Sequence, residues 1–156
     1  MTVSDSPAAP RVLIAEGDPW VRDMLKDLLL SVRCDARLQV CADGHEALAA
    51  LASQPDLIIA ARELPGVDGL DLLRNVRAKR RAPALPFILI SSRSDVASVR
   101  EALPLAPTAY LSKPLNAELL RQRLEEQLLG GGQAVACPVP PLRPGITLSR
   151  FLEDHR

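Results

Sequence analysis

Residues 55–69 read PDLIIAARELPGVDG. DLIIA (56–60) is apolar after its first residue and does not alternate, as in a strand covered on both faces. Pro65-Gly66 is a turn signal. GLDLLRNVRAKRR (69–81) then carries Leu70, Leu73 and Val76 at helical spacing and a basic end suited to its C-terminal dipole. A strand of this kind should deliver something reactive at its C-terminal tip. The residue at the tip is Ala61, a methyl group.

The same alternation extends in both directions. Upstream, RVLIA (11–15) is a short apolar run. DPWVRDMLKDLLLSV follows, with Val21, Met24, Leu25, Leu28, Leu29 and Val32 in an amphipathic stripe. Asp18 before Pro19 is a helix start: an N-cap acid, then proline at the first helical position. RLQVCAD (37–43) reads as a strand and GHEALAALASQ (44–54) as a helix that ends near Pro55. Downstream come the strand PFILIS (86–91), the helix SDVASVREAL (94–103) stopped by Pro104, the strand TAYLS (108–112) and the helix NAELLRQRLEEQLL (116–129). Five strands alternating with five helices predict an α/β domain: a parallel sheet, doubly wound, with helices on both faces. Its working residues belong at the C-terminal strand ends.

Composition bounds the rest. A chain of 156 residues that is 47% hydrophobic holds one domain with a sizeable core, and 3% aromatic content leaves that core to Leu, Ile, Val and Ala. Lys plus Arg and Asp plus Glu number 19 each, which argues against a general nucleic-acid or membrane surface. Residues 1–10 have no positively charged segment leading into an apolar one and are expected to be disordered. No apolar run approaches a membrane span, so a cytoplasmic location is expected. Cys34, Cys41 and Cys137 are odd in number and lack metal-ligand spacing; they are expected to be thiols in a reducing compartment. The domain is expected over 11–129, followed by a Gly/Pro-rich linker (130–146) and a short helix (147–156) with Leu148, Phe151 and Leu152 at helical spacing. That last segment reads as a docking helix or the start of an output region.

At the expected strand tips stand Glu16, Gly17 and Asp18, then Ala61, then Ser91 and Ser92, then Lys113-Pro114. A carboxylate, a hydroxyl and an ammonium at neighbouring tips would suit a phosphoryl group. From about Arg11 to Leu129 the chain resembles the receiver domain of bacterial two-component response regulators. PGVDGLDLLRNVR resembles the loop and helix after that family's phosphoacceptor strand, ILIS the strand that ends in its switch Ser/Thr, and AYLSKPL its last strand. The resemblance implies the five-stranded, flavodoxin-like (βα)5 fold. It also implies switch roles for Ser91 and Tyr110, with Lys113 and Pro114 as the Lys-Pro pair.

The departures lie at the acids. The phosphoacceptor position, four residues before Pro65, falls on Ala61, and the acidic pair at the end of the first strand falls on Glu16 and Gly17. Asp18 is explained by its N-cap role. Asp56 starts its strand at the far end from the site, and Glu63 is expected in a loop facing solvent. Glu16 and Lys113 are expected to close as an ion pair worth about 0–1 kcal/mol if exposed. Mg²⁺ binding is therefore expected to be weak or absent, with no cofactor and no catalytic residue.

Smaller features read blandly. Ser91 can close its strand as a structural serine, and Tyr110 either switches or is simply packed. Arg74, Arg77, Lys79, Arg80 and Arg81 read as a solvated helix end, and His45 as a surface residue in the first turn of its helix. The chain is thus expected to be a pseudo-receiver: a phosphorylation-independent, non-enzymatic signalling domain. Its contacts are expected through the fourth helix, fifth strand and fifth helix, with a protein partner, its own output domain or a second copy. The alternative is an atypical phosphoacceptor that uses a non-standard acid. A nucleotide binder would need a GxGxxG or GxxxxGK[ST] loop, and DNA binding a helix-turn-helix; neither is present.

Overall fold

The structure, a computed structural model, describes residues 9–78, 85–93 and 95–129. Within them run β1 (Arg11–Ala15), α1 (Pro19–Val32), β2 (Arg37–Cys41), α2 (Gly44–Ala50) and β3 (Leu57–Ala61). They are followed by α3 (Gly69–Ala78), β4 (Phe87–Ser91), α4 (Val96–Ala102), β5 (Ala109–Ser112) and α5 (Ala117–Leu128). The five strands form one parallel sheet in the order β2-β1-β3-β4-β5. The expected alternation therefore gives the flavodoxin-like receiver fold. The order reverses at β1, so a cleft opens beyond the ends of β1 and β3.

Side-chain alternation divides the interior into two cores. Val12, Ile14, Leu57, Ile59, Ile88 and Ile90 face α1 and α5. Leu13, Ile58, Ala60, Phe87 and Leu89 face the opposite core, with residues of α2, α3 and α4. Every residue of β3 and β4 is buried, whereas edge strands β2 and β5 are partly exposed. The stripe on α1 is buried in full (Val21, Met24, Leu25, Leu28, Leu29, Val32), each such side chain contributing about 1.5–3 kcal/mol. Arg33 ends that helix: its guanidinium grips Asp35 at 2.8 and 3.2 Å and donates to the Leu128 carbonyl at 3.0 Å, tying α1 to the last turn of α5.

Helix boundaries differ from expectation for local reasons. The helix expected over 44–54 stops at Ala50 and tightens into a 3-10 turn over Leu51–Ser53. Pro55 disfavours helical backbone at Gln54, which turns left-handed at φ 56°. Helix α4 starts at Val96, because Asp95 is extended and its carboxylate caps Ser98 N–H at 3.1 Å. Sheet hydrogen bonding begins one residue before the expected domain start, with Arg37 N–H donating to the Pro10 carbonyl at 2.8 Å. The calls on 1–8, on 130–156 and on Lys79, Arg80 and Arg81 lie outside the described residues. Among the described residues no helix is long and apolar enough to cross a membrane. Cys41 is free and buried.

Two glycines shape the turn after β3. Gly66 has φ +80°, a conformation that side chains disfavour. At Gly69 a Cβ would sit 2.3 Å from the Ala61 carbonyl oxygen, so only glycine lets α3 start this close to the strand tip. Arg77 does not point to solvent as a helix end would. It donates to the carbonyls of Leu85 (2.6 Å), Leu105 (2.8 Å) and Ala106 (2.9 Å), and its burial lowers its pKa. Arg74, in contrast, is exposed and pairs with Asp71. His45 is exposed in the first turn of α2, as expected.

Candidate functional site at the strand tips

The sheet brings the expected residues to one end. Glu16 follows β1 directly, and its backbone N–H donates to the Cys41 carbonyl at 3.0 Å, so the strand pairing carries it into the interior. It is 2% exposed. One carboxylate oxygen, Oε1, accepts from Lys113 Nζ at 2.8 Å and from Asp18 N–H at 3.4 Å; the other, Oε2, is buried and without a hydrogen-bond partner. Lys113 comes from just beyond β5, held by its backbone N–H to the Ser91 carbonyl at 2.8 Å, and it precedes Pro114 through a cis peptide bond. The expected Glu16–Lys113 pair therefore forms, but its acidic side is in the interior rather than at the surface. The estimate for an exposed pair does not apply.

The other acids are spent elsewhere or absent. Asp18 is exposed, and its carboxylate caps α1 by accepting from Trp20 N–H at 2.8 Å. Gly17 is exposed, and a Cβ there would find Pro65 at 3.5 Å and the Ala42 carbonyl at 3.6 Å, ordinary contact distances. A side chain would fit, so packing does not require glycine. Ala61 is 1% exposed at the end of β3, with its carbonyl against α3. No group of three or more His, Cys, Asp or Glu that could hold a metal occurs among the described residues. A hard divalent ion draws on several carboxylate or carbonyl oxygens. The one buried carboxylate here already faces an ammonium, so the donor set does not fit Mg²⁺.

Two residues that sequence reasoning set aside or missed lie next to Ala61. Glu63 is exposed, as expected, but its carboxylate also reaches the end of β4. Its Oε1 accepts from Ser91 Oγ (2.8 Å), Ser92 N–H (2.9 Å) and Ser92 Oγ (2.7 Å). Partial burial works to raise its pKa, but the hydrogen bonds from Ser92 and Ser91 prevail and hold it below the ordinary carboxylate value. Arg62, 7% exposed, points the other way. It donates to the Ser98 carbonyl on α4 and to Glu101 Oε2, both at 2.7 Å. Burial acts to lower its pKa; hydrogen bonding to Tyr110 and Glu101 more than offsets this. The signal was available as a charged pair, Arg-Glu, directly after a buried strand end.

Ser91 is fully buried, and its Oγ both donates to Glu63 and accepts from Arg93 N–H at 2.9 Å. Tyr110 is half-buried against the α2/α3/α4 core, with its hydroxyl donating to the Arg93 carbonyl at 2.6 Å. Its side chain is packed, and the hydroxyl closes the loop after β4. Chemically, the tips thus hold a neutralised carboxylate, a methyl group and a hydroxyl already committed to an internal acceptor.

Comparison with known proteins agrees with this architecture. The family model for the response regulator receiver domain matches residues 12–125. The chain is similar to the transcriptional regulatory protein AfsQ1 of Streptomyces coelicolor, 33% identical over 123 residues, covering 78% of this chain and 52% of the relative. It is similar to chemotaxis protein CheY of Pseudomonas aeruginosa, 29% identical over 117 residues, covering 74% of this chain and 94% of that protein. Among solved structures, the signal receiver domain of an HD domain-containing protein from Pseudomonas fluorescens Pf-5 superposes with a TM-score of 0.68 at 29% identity, covering 77% of this chain and 94% of that one. The chain spans about half the length of the AfsQ1 relative and 12% of another, the sensor histidine kinase TmoS of Ectopseudomonas mendocina. The chain belongs to the response regulator receiver domain family.

Proposed function

We propose that this receiver domain signals without accepting phosphate, and that it does so through protein–protein contact. The observation that carries this reading is at the end of β3. Ala61, with no nucleophile, occupies the position that the family resemblance assigns to the phosphoacceptor, and it is 1% exposed. Nearby chemistry does not replace it. Glu16 is closed on Lys113, Asp18 caps α1, and Glu63 is engaged by two serines. Three donors on its Oε1 draw charge from the carboxylate and weaken it as a nucleophile. The domain is a pseudo-receiver on this reading, and it carries out no catalysis of its own.

The contact surface in this reading is α4, β5 and α5. On α4 and just beyond it, Val96 and Leu103 are 65% and 60% exposed. They are seven residues apart and so share one helix face. Partners on this reading are a signalling protein, a second copy or an output region of a longer chain. Relatives named as a transcriptional regulatory protein and a sensor histidine kinase, each longer than the matched part, support the last of these.

The test is direct. The full chain is incubated with Mg²⁺ and acetyl phosphate, or with beryllofluoride, while Trp20 fluorescence and intact mass are followed. Trp20 stands in the first turn of α1, beside the cleft, so it reports events there. The expected result is an unchanged mass and no saturable fluorescence response. A single phosphoryl adduct, mapped to any carboxylate, would sink the proposal and favour an atypical phosphoacceptor.

A further inference from the structure

Ala61 is followed by two residues whose side chains leave the strand tip in different directions and end on different elements. Glu63 collects three hydrogen bonds from Ser91 and Ser92 on a single oxygen, Oε1. These hydroxyl and amide donors stand at the end of β4, the strand that pairs with β3. Arg62 is buried, and it fixes α4 through the Ser98 carbonyl and Glu101. Tyr110 on β5 closes on the Arg93 carbonyl in the β4–α4 loop. The end of β4 and helix α4 are thus both tied to the two residues that follow β3.

From this arrangement we propose that Arg62 and Glu63 form a built-in latch: Glu63 supplies the anionic oxygen that holds Ser91 and Ser92, Arg62 holds α4, and together with the Tyr110–Arg93 contact they fix the β4–α4–β5 face in one arrangement without covalent modification. The inference rests on the phosphorylation-independent reading above and names how that reading is built into the fold. Its physical basis is the strength of charge-assisted hydrogen bonds, which exceed neutral ones and are directional. A carboxylate is a permanent acceptor at neutral pH, so the Ser91 and Ser92 donors stay engaged whatever the state of a kinase. The buried Arg62 fork has its donors matched by a carbonyl and a carboxylate, so releasing α4 would strand a cation in the interior. Both residues act through others and are positioning residues.

The two halves have distinct jobs. Glu63 orders the start of the β4–α4 loop, where Ser92 and Arg93 are exposed and would otherwise find water. Arg62 sets the height of α4 over the sheet, because Ser98 and Glu101 lie one turn apart on that helix. The exposed Val96 begins that helix and the exposed Leu103 follows it directly. A partner that reads this face would therefore meet it already ordered.

The experiment is amide hydrogen exchange by NMR on the full ¹⁵N-labelled chain, comparing wild type with Glu63→Ala, Glu63→Gln and Arg62→Lys. Glu63 is exposed as a residue, so its removal leaves the core packed. In Glu63→Ala, exchange at Ser92, Arg93 and Val96–Val99 is expected to rise roughly tenfold or more, the factor that a lost charge-assisted hydrogen bond commands. Amides of β1, α1 and α5 are expected to stay within about twofold of wild type. Glu63→Gln keeps an acceptor oxygen in the same place and is expected to restore part of the protection; a merely structural side chain would show no such graded rescue. Arg62→Lys retains the charge but not the fork, and is expected to release α4 and shift the Tyr110 resonances while the Ser92 amide stays protected. The latch is overturned if Glu63→Ala leaves the β4–α4 segment protected, or if all three variants raise exchange uniformly across the domain. Intact mass after acetyl phosphate is read on the same wild-type sample. An adduct there defeats the phosphorylation-independent reading, whereas exchange alone decides whether Arg62 and Glu63 hold the face.

Discussion

Replacing Lys113 with methionine isolates the energetics of the strand-tip cleft. The substitution keeps most of the aliphatic stem and removes the ammonium, so Glu16 is left buried with neither carboxylate oxygen facing a cation. Its Oε2 has no partner even in the intact protein, and Oε1 would retain only the long 3.4 Å contact from Asp18 N–H. Removing one member of a fully buried pair typically costs about 3–5 kcal/mol, because the survivor stays desolvated. Here the side chains of Glu16 and Lys113 are 3% and 25% exposed, so water relieves part of the penalty. We expect Lys113→Met to destabilise the fold by about 2–3 kcal/mol, several times the value of a surface pair. For a domain of this size that lowers the melting temperature by about 8–12 °C. Glu16→Gln should cost only about 1 kcal/mol, since the partly exposed ammonium can turn to solvent. The double variant should then be close to Glu16→Gln alone, giving a coupling energy of about 2–3 kcal/mol. Urea unfolding followed by circular dichroism measures all four corners of this cycle. A Lys113→Met cost within about 0.5 kcal/mol of zero, or strictly additive single costs, would refute the claim that burial of Glu16 makes the pair matter.

Three further outcomes follow from the geometry. Gly17→Asp with Ala61→Asp should produce a saturable Trp20 fluorescence response to Mg²⁺, because a side chain fits at Gly17 and crowded acids call for a divalent ion; Ala61→Asp alone should not respond. Gly69→Ala should destabilise by about 1–3 kcal/mol or more in urea, since its Cβ would lie 2.3 Å from the Ala61 carbonyl oxygen and the backbone of α3 or β3 must move. The Glu63 carboxyl has its folded pKa lowered from 4.5, so its contribution is present above that unfolded value and is lost as pH falls through the folded one. The stability difference between wild type and Glu63→Ala, measured by urea unfolding, should therefore be full at pH 7 and shrink at pH 3 to 4; a difference that grows on acidification would contradict the assigned hydrogen bonds.

Much of the architecture was legible because β3 and β4 are continuous apolar runs, and such strands have few alternatives to a covered parallel sheet. Helix starts were legible where the cap was chemical, as at Asp18-Pro19. They were less so at α4, expected from residue 94 but starting at Val96 behind the Asp95 cap. In the cleft, the positions of Glu16, Ala61, Ser91 and Lys113 followed from their places at strand ends. The hydrogen bonds of the exposed Glu63 were not legible, because a loop side chain's partners are not encoded in periodicity; they come from a strand 28 residues away. Arg77 was misread for a similar reason. An arginine at a helix end looks solvated until the carbonyls of a separate turn, Leu105 and Ala106, are placed within its reach. Burial of the Glu16 carboxylate could not be read at all from the sequence, since it depends on tertiary packing at the strand ends, where Lys113 reaches it from beyond β5.

Strand β5 has only four residues, yet it and the residue that follows have three separate anchorages. Tyr110 is tied to the β4–α4 loop, Leu111 lies in the core shared with α1 and α5, and Lys113 reaches Glu16 beside β1. Among the described residues its outer edge pairs with no strand. Whatever lies along that edge would touch one short segment and, through it, load the loop, the core and the buried ion pair together. Mechanically, β5 is the one lever from which all three parts of the domain can be moved.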